Sequence, residues 1–567
     1  MNKKINLILS TLFVLFFTSF VFGQNVLKLK PYDGTPQSFF IAQIKADTAA
    51  NHGVLPDRVY ELESGGVYLN TEQFNVAKGV TIRLVCNGLK KPIIYQFPTG
   101  TGSNPQNPPG YLFVLQGGNL EMKNIAVSGY FEASSDYLDN LQGGIINTTQ
   151  EGSSIIIDDC IFNNINGQHI RTGSATKKVK VTNTIFANMG FLGRSNLGAG
   201  KGIDLREASC DSLILVNNTF VNYQDRVVRH YNFSNPLAGT GGIQYCLIEH
   251  NSFVNGMGFH GLLSLGNVGK EVIIKNNLFY DAFALGEDST DATRAAEWAN
   301  TGETYANGNN RITWIFSAPN DTTQWTVKNN YYVISPEGQN FLTKYGFGEG
   351  SPLSLHIKSR LGSAAATAFK KINLKLKEIP RLMVNMMEWY ESPDGGNKTK
   401  NTPSDKWNKN LHDMDRRTYK YFEDTLDCSY DKNVEAYYSA ERGFPVGDLN
   451  WFPDLKVRWE AGETVGVEQD IILAKDYILE QNYPNPFNPT TNITYSLPKT
   501  SNVTLTIYNS LGQEVAKLVN NQLQNAGKYT VTWNGKNYSG QTLSSGIYFY
   551  QLKTDEITIT RKMTLIK

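Results

Sequence analysis

The stretch Ser212–Tyr223, SLILVNNTFVNY, sets two asparagines between a run of aliphatic residues and a phenylalanine. Nearly the same phrase returns as KVKVTNTIFANM, CLIEHNSFVNG, EVIIKNNLFYDA and QWTVKNNYYVI. A unit repeated in this way cannot bury its own apolar face and must stack on copies of itself. Aligned on the aromatic, the copies fall at Phe162, Phe186, Phe220, Phe253, Phe279 and Tyr332, with Val127 as an earlier member. Three residues upstream stand Asp159, Asn183, Asn217, His250, Asn276 and Asn329; two residues downstream stand Asn164, Asn188, Asn222, Asn255 and Asp281. Successive anchors are 24, 34, 33, 26 and 53 residues apart. A variable interval fits a coil whose short strands are constant while its turns swell, and the β-branched alternation excludes helical repeat arrays. The expected fold is a right-handed parallel β-helix, its rungs stacked at ~4.8 Å. Asparagine suits the corners because it tolerates the left-handed backbone conformation and its amide can bond the amide one rung away.

The whole chain agrees with this. Its 567 residues allow several domains. The charge is balanced, with 53 basic and 52 acidic residues, which gives no argument for nucleic acid or an anionic membrane. With 50 Gly, 29 Tyr, 29 Phe and 19% charged residues it is turn-rich, aromatic and β-dominated. Lys3 and Lys4 before INLILSTLFVLFF, then Val21 and Gly23, read as a signal peptide over residues 1–23, cut near Gln24. No later run approaches a membrane span. Five cysteines without metal spacing (Cys86, Cys160, Cys210, Cys246 and Cys428) predict core packing rather than a disulfide framework.

A β-helix needs its ends covered. The stretch Pro36–Ala50, with apolar spacing at Phe39, Ala42, Ile44 and Ala46, predicts an N-terminal capping helix. The strand-like RVYEL, GGVYL and VTIRLVC follow it. The coil with its cap is expected over 24–334. A helical and irregular continuation over 335–459 includes a Met-rich amphipathic stretch (Met383, Met386, Met387, Trp389) and RGFPVGDLNWFPD, which would close the domain with Trp451 and Phe452 packed inward. A polar linker spans 460–476, and residues 477–567 alternate as in a small antiparallel Ig-like β-sandwich. The predicted class is therefore all-β.

In the last segment QNYPNPFNPTT, IYNSLGQEV, SGIYFYQL and the terminal KMTLIK resemble the C-terminal sorting domain of the type IX secretion system of Bacteroidetes and their relatives. That resemblance implies passage through the periplasm to the cell surface or medium, with the type IX machinery as a partner. The coil, from about Ser38 to Ile334, resembles the pectate-lyase-like superfamily, and in VNNTFVN and IEHNSFVN the chondroitinase B and alginate lyase group. The block NLFxxCxGExEIISxKS, which serves the active-site face of those lyases, is absent.

After the anchors come GQHIRTG, GKGIDLREA, DRVVRHYNF and GFHGLLSLG. Arg171 and Arg229 both lie nine residues past their anchors, which predicts one outward column. If Ile203 and Leu205 point inward, Asp204 and Arg206 point out. A row of Arg171, Arg206 and Arg229 beside His169, Lys201, His230 and His260 would suit a linear polyanion, so the predicted partner is an acidic polysaccharide. For β-elimination, Arg206 and Arg229 would neutralise a uronate carboxylate while His230 or Lys201 took the adjacent proton. Arg171, His169, Asp204 and His260 would bind substrate. The alternative is that these groups pair with Asp204, Glu207 and Asp225 on a solvated face. The insertion Gly286–Asn310 would wall a groove, and its Glu287, Asp288 and Asp291 lack calcium-loop spacing and read as solvated. Calcium is the one cofactor considered. The sequence thus leaves three classes open for a monomeric exported chain: a polysaccharide lyase, a non-catalytic glycan-binding or adhesive protein, and a structural surface protein.

Overall fold

The computed structural model describes residues 25–97, 110–129, 143–190, 197–231, 242–400, 426–465 and 477–566, with Asn300 placed by its backbone alone. The signal-peptide segment and most of the linker lie outside the described residues. From Val59 onward each coil gives one strand to each of three parallel sheets in turn, and these sheets hold ten, ten and nine strands. The chain is a right-handed parallel β-helix followed by a small antiparallel sandwich.

The register shows why the repeated phrase dictates this. Val127, Phe162, Phe186, Phe220, Phe253, Phe279 and Tyr332 pair one above the next in the second sheet. The rings of Phe186, Phe220, Phe253 and Phe279 stack with centroids 4.8, 5.4 and 4.8 Å apart. All four are fully buried. Both flanking polar positions are left-handed: φ is 55° at Asn183, 55° at Asn217, 52° at His250 and 60° at Asn276 upstream, and 52° at Asn188, 54° at Asn222 and 52° at Asn255 downstream. Asn and His accept this region where β-branched residues do not. The residue after the upstream corner carries the inter-coil ladder. Asn218, Asn251 and Asn277 each donate through Nδ2 to the Oδ1 of Asn251, Asn277 and Asn330, at 2.9, 3.0 and 2.9 Å.

The N-terminal helix forms at Phe40–Ala50 and buries Phe40, Ile41 and Ile44, so that of the expected Phe39, Ala42, Ile44 and Ala46 it buries Ile44. The other helices cover flanks as well as the far end. Val384–Glu391 packs Met386, Met387 and Tyr390 with Leu197, Met257, Phe259 and Leu285 at the corner between the second and third sheets. Residues 426–465 lie along the outer face of the second sheet, because there the outward residues Ala187, Val221, Val254 and Leu278 are apolar and need cover. This cover is pinned to the coil corners: Gly447 N donates to Asn276 O at 2.8 Å, Thr219 Oγ1 to Asp448 Oδ2 at 2.7 Å, and Trp451 Nε1 to Thr219 Oγ1 at 2.8 Å. Phe452 is buried, while Trp451 is only partly so.

The terminal domain sets a three-stranded sheet against a four-stranded one, both antiparallel. Its core, including Phe487, Ile493, Leu505, Trp533, Tyr550 and Met563, is its own. All five cysteines are free and buried.

Candidate functional site

The third sheet carries the predicted column. Arg171 pairs with Asp204, Asp204 with Arg229, and Arg229 with Ser264. Arg171 and Arg229 thus share a column two rungs apart, but the rung between them holds Asp204 where the sequence reading put Arg206. A register shift between Asp204 and Arg206 sets Arg206 opposite His230, with φ at 52°. Ile203 and Leu205 are fully buried and Arg206 is half-exposed, as period-two alternation requires. Asp204 departs from that expectation: it is fully buried, its Oδ1 3.1 Å from Arg229 Nε and accepting from Arg206 N at 3.2 Å. The guanidinium carbons of Arg229 and Arg206 lie 4.5 and 5.3 Å from the ring centroid of Tyr231, a residue the sequence reading did not single out. Such stacking holds a guanidinium in place while leaving its edge free for an anion.

The remaining predicted residues are not on a solvated basic face. His169 is inside the coil, its ring 5.4 Å from Phe186 and its Nδ1 3.1 Å from Lys201 O. His230, the last residue of the strand Val228–His230, is so closely packed that a Cβ on Gly242 or Gly266 would come within 2.3 Å of its ring, and its Nε2–H donates to Ala208 O at 3.1 Å. Burial lowers the pKa of both histidines to about 4. Lys201 and His260 do meet, on Asp225. Lys201 Nζ is 2.8 Å from Oδ2, and His260 Nδ1 donates to Oδ1 at 3.0 Å. Arg226 extends this cluster to Glu297 at 3.1 Å, and Lys400 reaches Glu297 at 2.9 Å. Lys201, Asp225, Arg226 and His260 are all at most 3% exposed. Desolvation pushes the Lys201 and His260 pKa values down, the latter to about 4, while the lysine and Arg226 beside Asp225 hold its carboxyl well below its usual range. The cluster is charge-compensated and closed, with Glu297 of the insertion as its outer member. Asp225 is the pairing partner that the sequence suggested. Arg226, Glu297 and Lys400 could not be found by spacing, because they come from a corner, the insertion and a distant segment.

The insertion is also not a solvated loop. Asp291 is 1% exposed, caps the turn Ala292–Ala295 through Arg294 N at 2.9 Å and accepts from Tyr390 Oη at 2.7 Å. Asp288, 5% exposed, is held by Lys398 and by Thr290 Oγ1 at 2.7 Å. Among the described residues no group of three or more His, Cys, Asp or Glu is arranged to hold a metal ion.

Residues 486–556 match the family model of the FlgD Ig-like domain. No curated protein matches the chain. Three solved structures share limited likeness. One is PorZ of Porphyromonas gingivalis, an essential bacterial surface component of its type-IX secretion system (14% identity over 18% of this chain and 13% of that one, TM-score 0.13). Another is dimeric latent PorU of the same organism (16% identity, 16% and 9%, TM-score 0.14). The third is FlgD of Pseudomonas aeruginosa (29% identity, 13% and 58%, TM-score 0.12). In each case this chain spans less than two thirds of the other's length, and scores of this size carry no likeness of whole architecture.

Proposed function

We propose that this is an exported β-helix protein of the pectate-lyase-like kind, displayed at the cell surface or released, whose third sheet holds an acidic polysaccharide without cleaving it. The observation that carries this reading is that Arg206 and Arg229 lie over the Tyr231 ring while Arg171 shares the column two rungs from Arg229, with Asp204 buried between them. Arginines two rungs apart sit ~10 Å from one another, a spacing that a polyuronate can match with carboxylates on the same side of its chain. Binding is favoured over β-elimination because both candidate bases are enclosed and engaged: His230 Nε2–H donates to Ala208 O, and Lys201 Nζ lies 2.8 Å from the buried Asp225 carboxylate. The terminal domain is read as a type IX sorting domain, on the strength of the sequence motifs around Pro484–Thr490 and in the last two strands.

Exposed charge contacts contribute about 1 kcal/mol or less each, so several must act together and the binding must weaken with salt. Retention on immobilised alginate or pectate is expected at low ionic strength and is expected to be weakened in R206A/R229A with the melting midpoint little changed. Retention of the double variant equal to that of the parent would place the binding face elsewhere. Ultraviolet absorbance from unsaturated sugar ends, on incubation with alginate, pectate or chondroitin, would restore the lyase reading.

A further inference from the structure

On the flank covering the second sheet, away from the arginine column, a cleft of about 580 Å³ opens between Lys375–Lys377 and the cover segment that supplies Ser429–Lys432, Tyr437, Trp451 and Phe452. Small-molecule sites commonly enclose ~300–1,000 Å³, with an apolar lining and a few placed polar groups. The lining here is aromatic and fixed. Tyr430 donates its hydroxyl to Ala436 O at 3.1 Å and Val446 O at 2.7 Å. Phe452 meets Tyr430 and Tyr437 edge to face at 5.0 and 5.4 Å. Trp451 is anchored through its indole N–H to Thr219, so its ring is oriented by the coil itself.

The rim is cationic and, unlike its surroundings on this flank, only partly neutralised. Lys370 and Lys328 nearby sit 2.5 Å from Glu435 and Glu441. By contrast Lys375 and Lys432 have no ion-pair partner among the described residues, and Lys377 is 3.8 Å from Asp427. The one carboxylate lining the cleft, Asp431, accepts from Asn433 N at 2.8 Å through Oδ1 and keeps its charge. Three lysines against two carboxylates, Asp427 and Asp431, leave a net positive rim over an aromatic floor. A ligand that satisfies both has an apolar face and a carboxylate at its edge.

We propose that this cleft is a second, independent binding site, for a hexuronate unit of a short acidic oligosaccharide. The sugar ring packs its C–H face on Tyr437 and Trp451, and its carboxylate is taken by Lys375 and Lys432. An acidic peptide offers the charge without the flat apolar face, and a neutral sugar offers the face without the charge.

The test is calorimetric titration of the full chain with trigalacturonate, maltotriose and hexaglutamate at low salt. Trigalacturonate is expected to bind and the other two to bind at least tenfold more weakly. K375E/K432E, which changes only exposed side chains, is expected to weaken trigalacturonate by roughly tenfold or more. Y437A is expected to weaken it too, and R206A/R229A to leave this site's affinity unchanged. Parental affinity in K375E/K432E overturns the proposal, as does loss in R206A/R229A alone, which would assign all binding to the third sheet. Equal binding of hexaglutamate, or indifference to Y437A, would make the cleft a site for acidic peptide or for charge alone and overturns it equally.

Discussion

At Asn251 one side chain joins three coils. Its Oδ1 accepts from Asn218 N at 3.1 Å and Nδ2 at 2.9 Å, while its own Nδ2 donates to Leu215 O at 3.0 Å and to Asn277 Oδ1 at 3.0 Å. N251A strands two buried donors and a carbonyl, and is expected to cost about 2–3 kcal/mol in urea unfolding. N251T should recover part of that, because Thr184 fills the equivalent place one end of the ladder further on and accepts from Cys160 N at 3.2 Å. A second residue-scale expectation concerns His250, which replaces asparagine at a left-handed corner and donates to Gly447 O at 3.2 Å. Burial lowers its pKa to about 3, below the ordinary 6.5. The fold therefore favours the neutral ring: the contribution is complete above pH 6.5 and is lost as pH falls through about 3. His169, His230 and His260, at about 4, act in the same sense. Asp281 and Asp448, raised to about 6, act oppositely: their contribution is present below 3.8 and lost as pH rises through about 6. H250N should narrow the stability difference between pH 7 and pH 4, measured by urea unfolding at each. Unchanged acid sensitivity would show that the ring is not held neutral. The corner asparagines were legible because left-handed backbone has a residue signature. The exchange of Asp204 for Arg206 in the column was not, because it follows from a one-residue slip between strands, which leaves no mark in composition or spacing.

At the scale of elements, the phenylalanine column is what the repeated phrase encodes. Phe220 sits between Phe186 and Phe253 with rings 4.8 and 5.4 Å away. F220A is expected to cost about 3–5 kcal/mol, and F220L clearly less, because a cavity between stacked rungs cannot collapse without breaking strand pairing on both sides. Equal costs would show that the column relaxes around the gap. Strand existence and stacking order were readable from the anchors alone. The insertion between Phe279 and Tyr332 was readable as a swelling and no more. That it buries Asp291 and Arg294 and sends Glu297 to close the Lys201–Asp225–His260 cluster depends on residues 390–400, more than 90 positions away in some pairs, with which it shares no pattern. Cover segments are recognised by what they hide, and a sheet's outward apolar residues are visible only once the register is known.

For the whole molecule, two separate cores imply two separable units. The apolar clusters of the β-helix and its covers take no residue from the terminal sandwich, whose core runs from Leu479 to Leu565. Deleting Tyr477–Lys567 is expected to leave the melting transition of the β-helix unchanged while the protein accumulates in the periplasm. Undiminished release into the medium would remove the type IX assignment. A lowered transition would show that the two units lean on each other.

The amide ladder bears on how such a chain could change length. Each coil presents the same donor to one neighbour and the same acceptor to the other, whether 26, 33 or 53 residues separate the rungs. A coil could therefore be duplicated or lost in the middle of the stack without inventing a new junction. The end caps would move apart or together by about 4.8 Å per coil. Reach is set by counting rungs and is inherited independently of whatever the turns have come to bind.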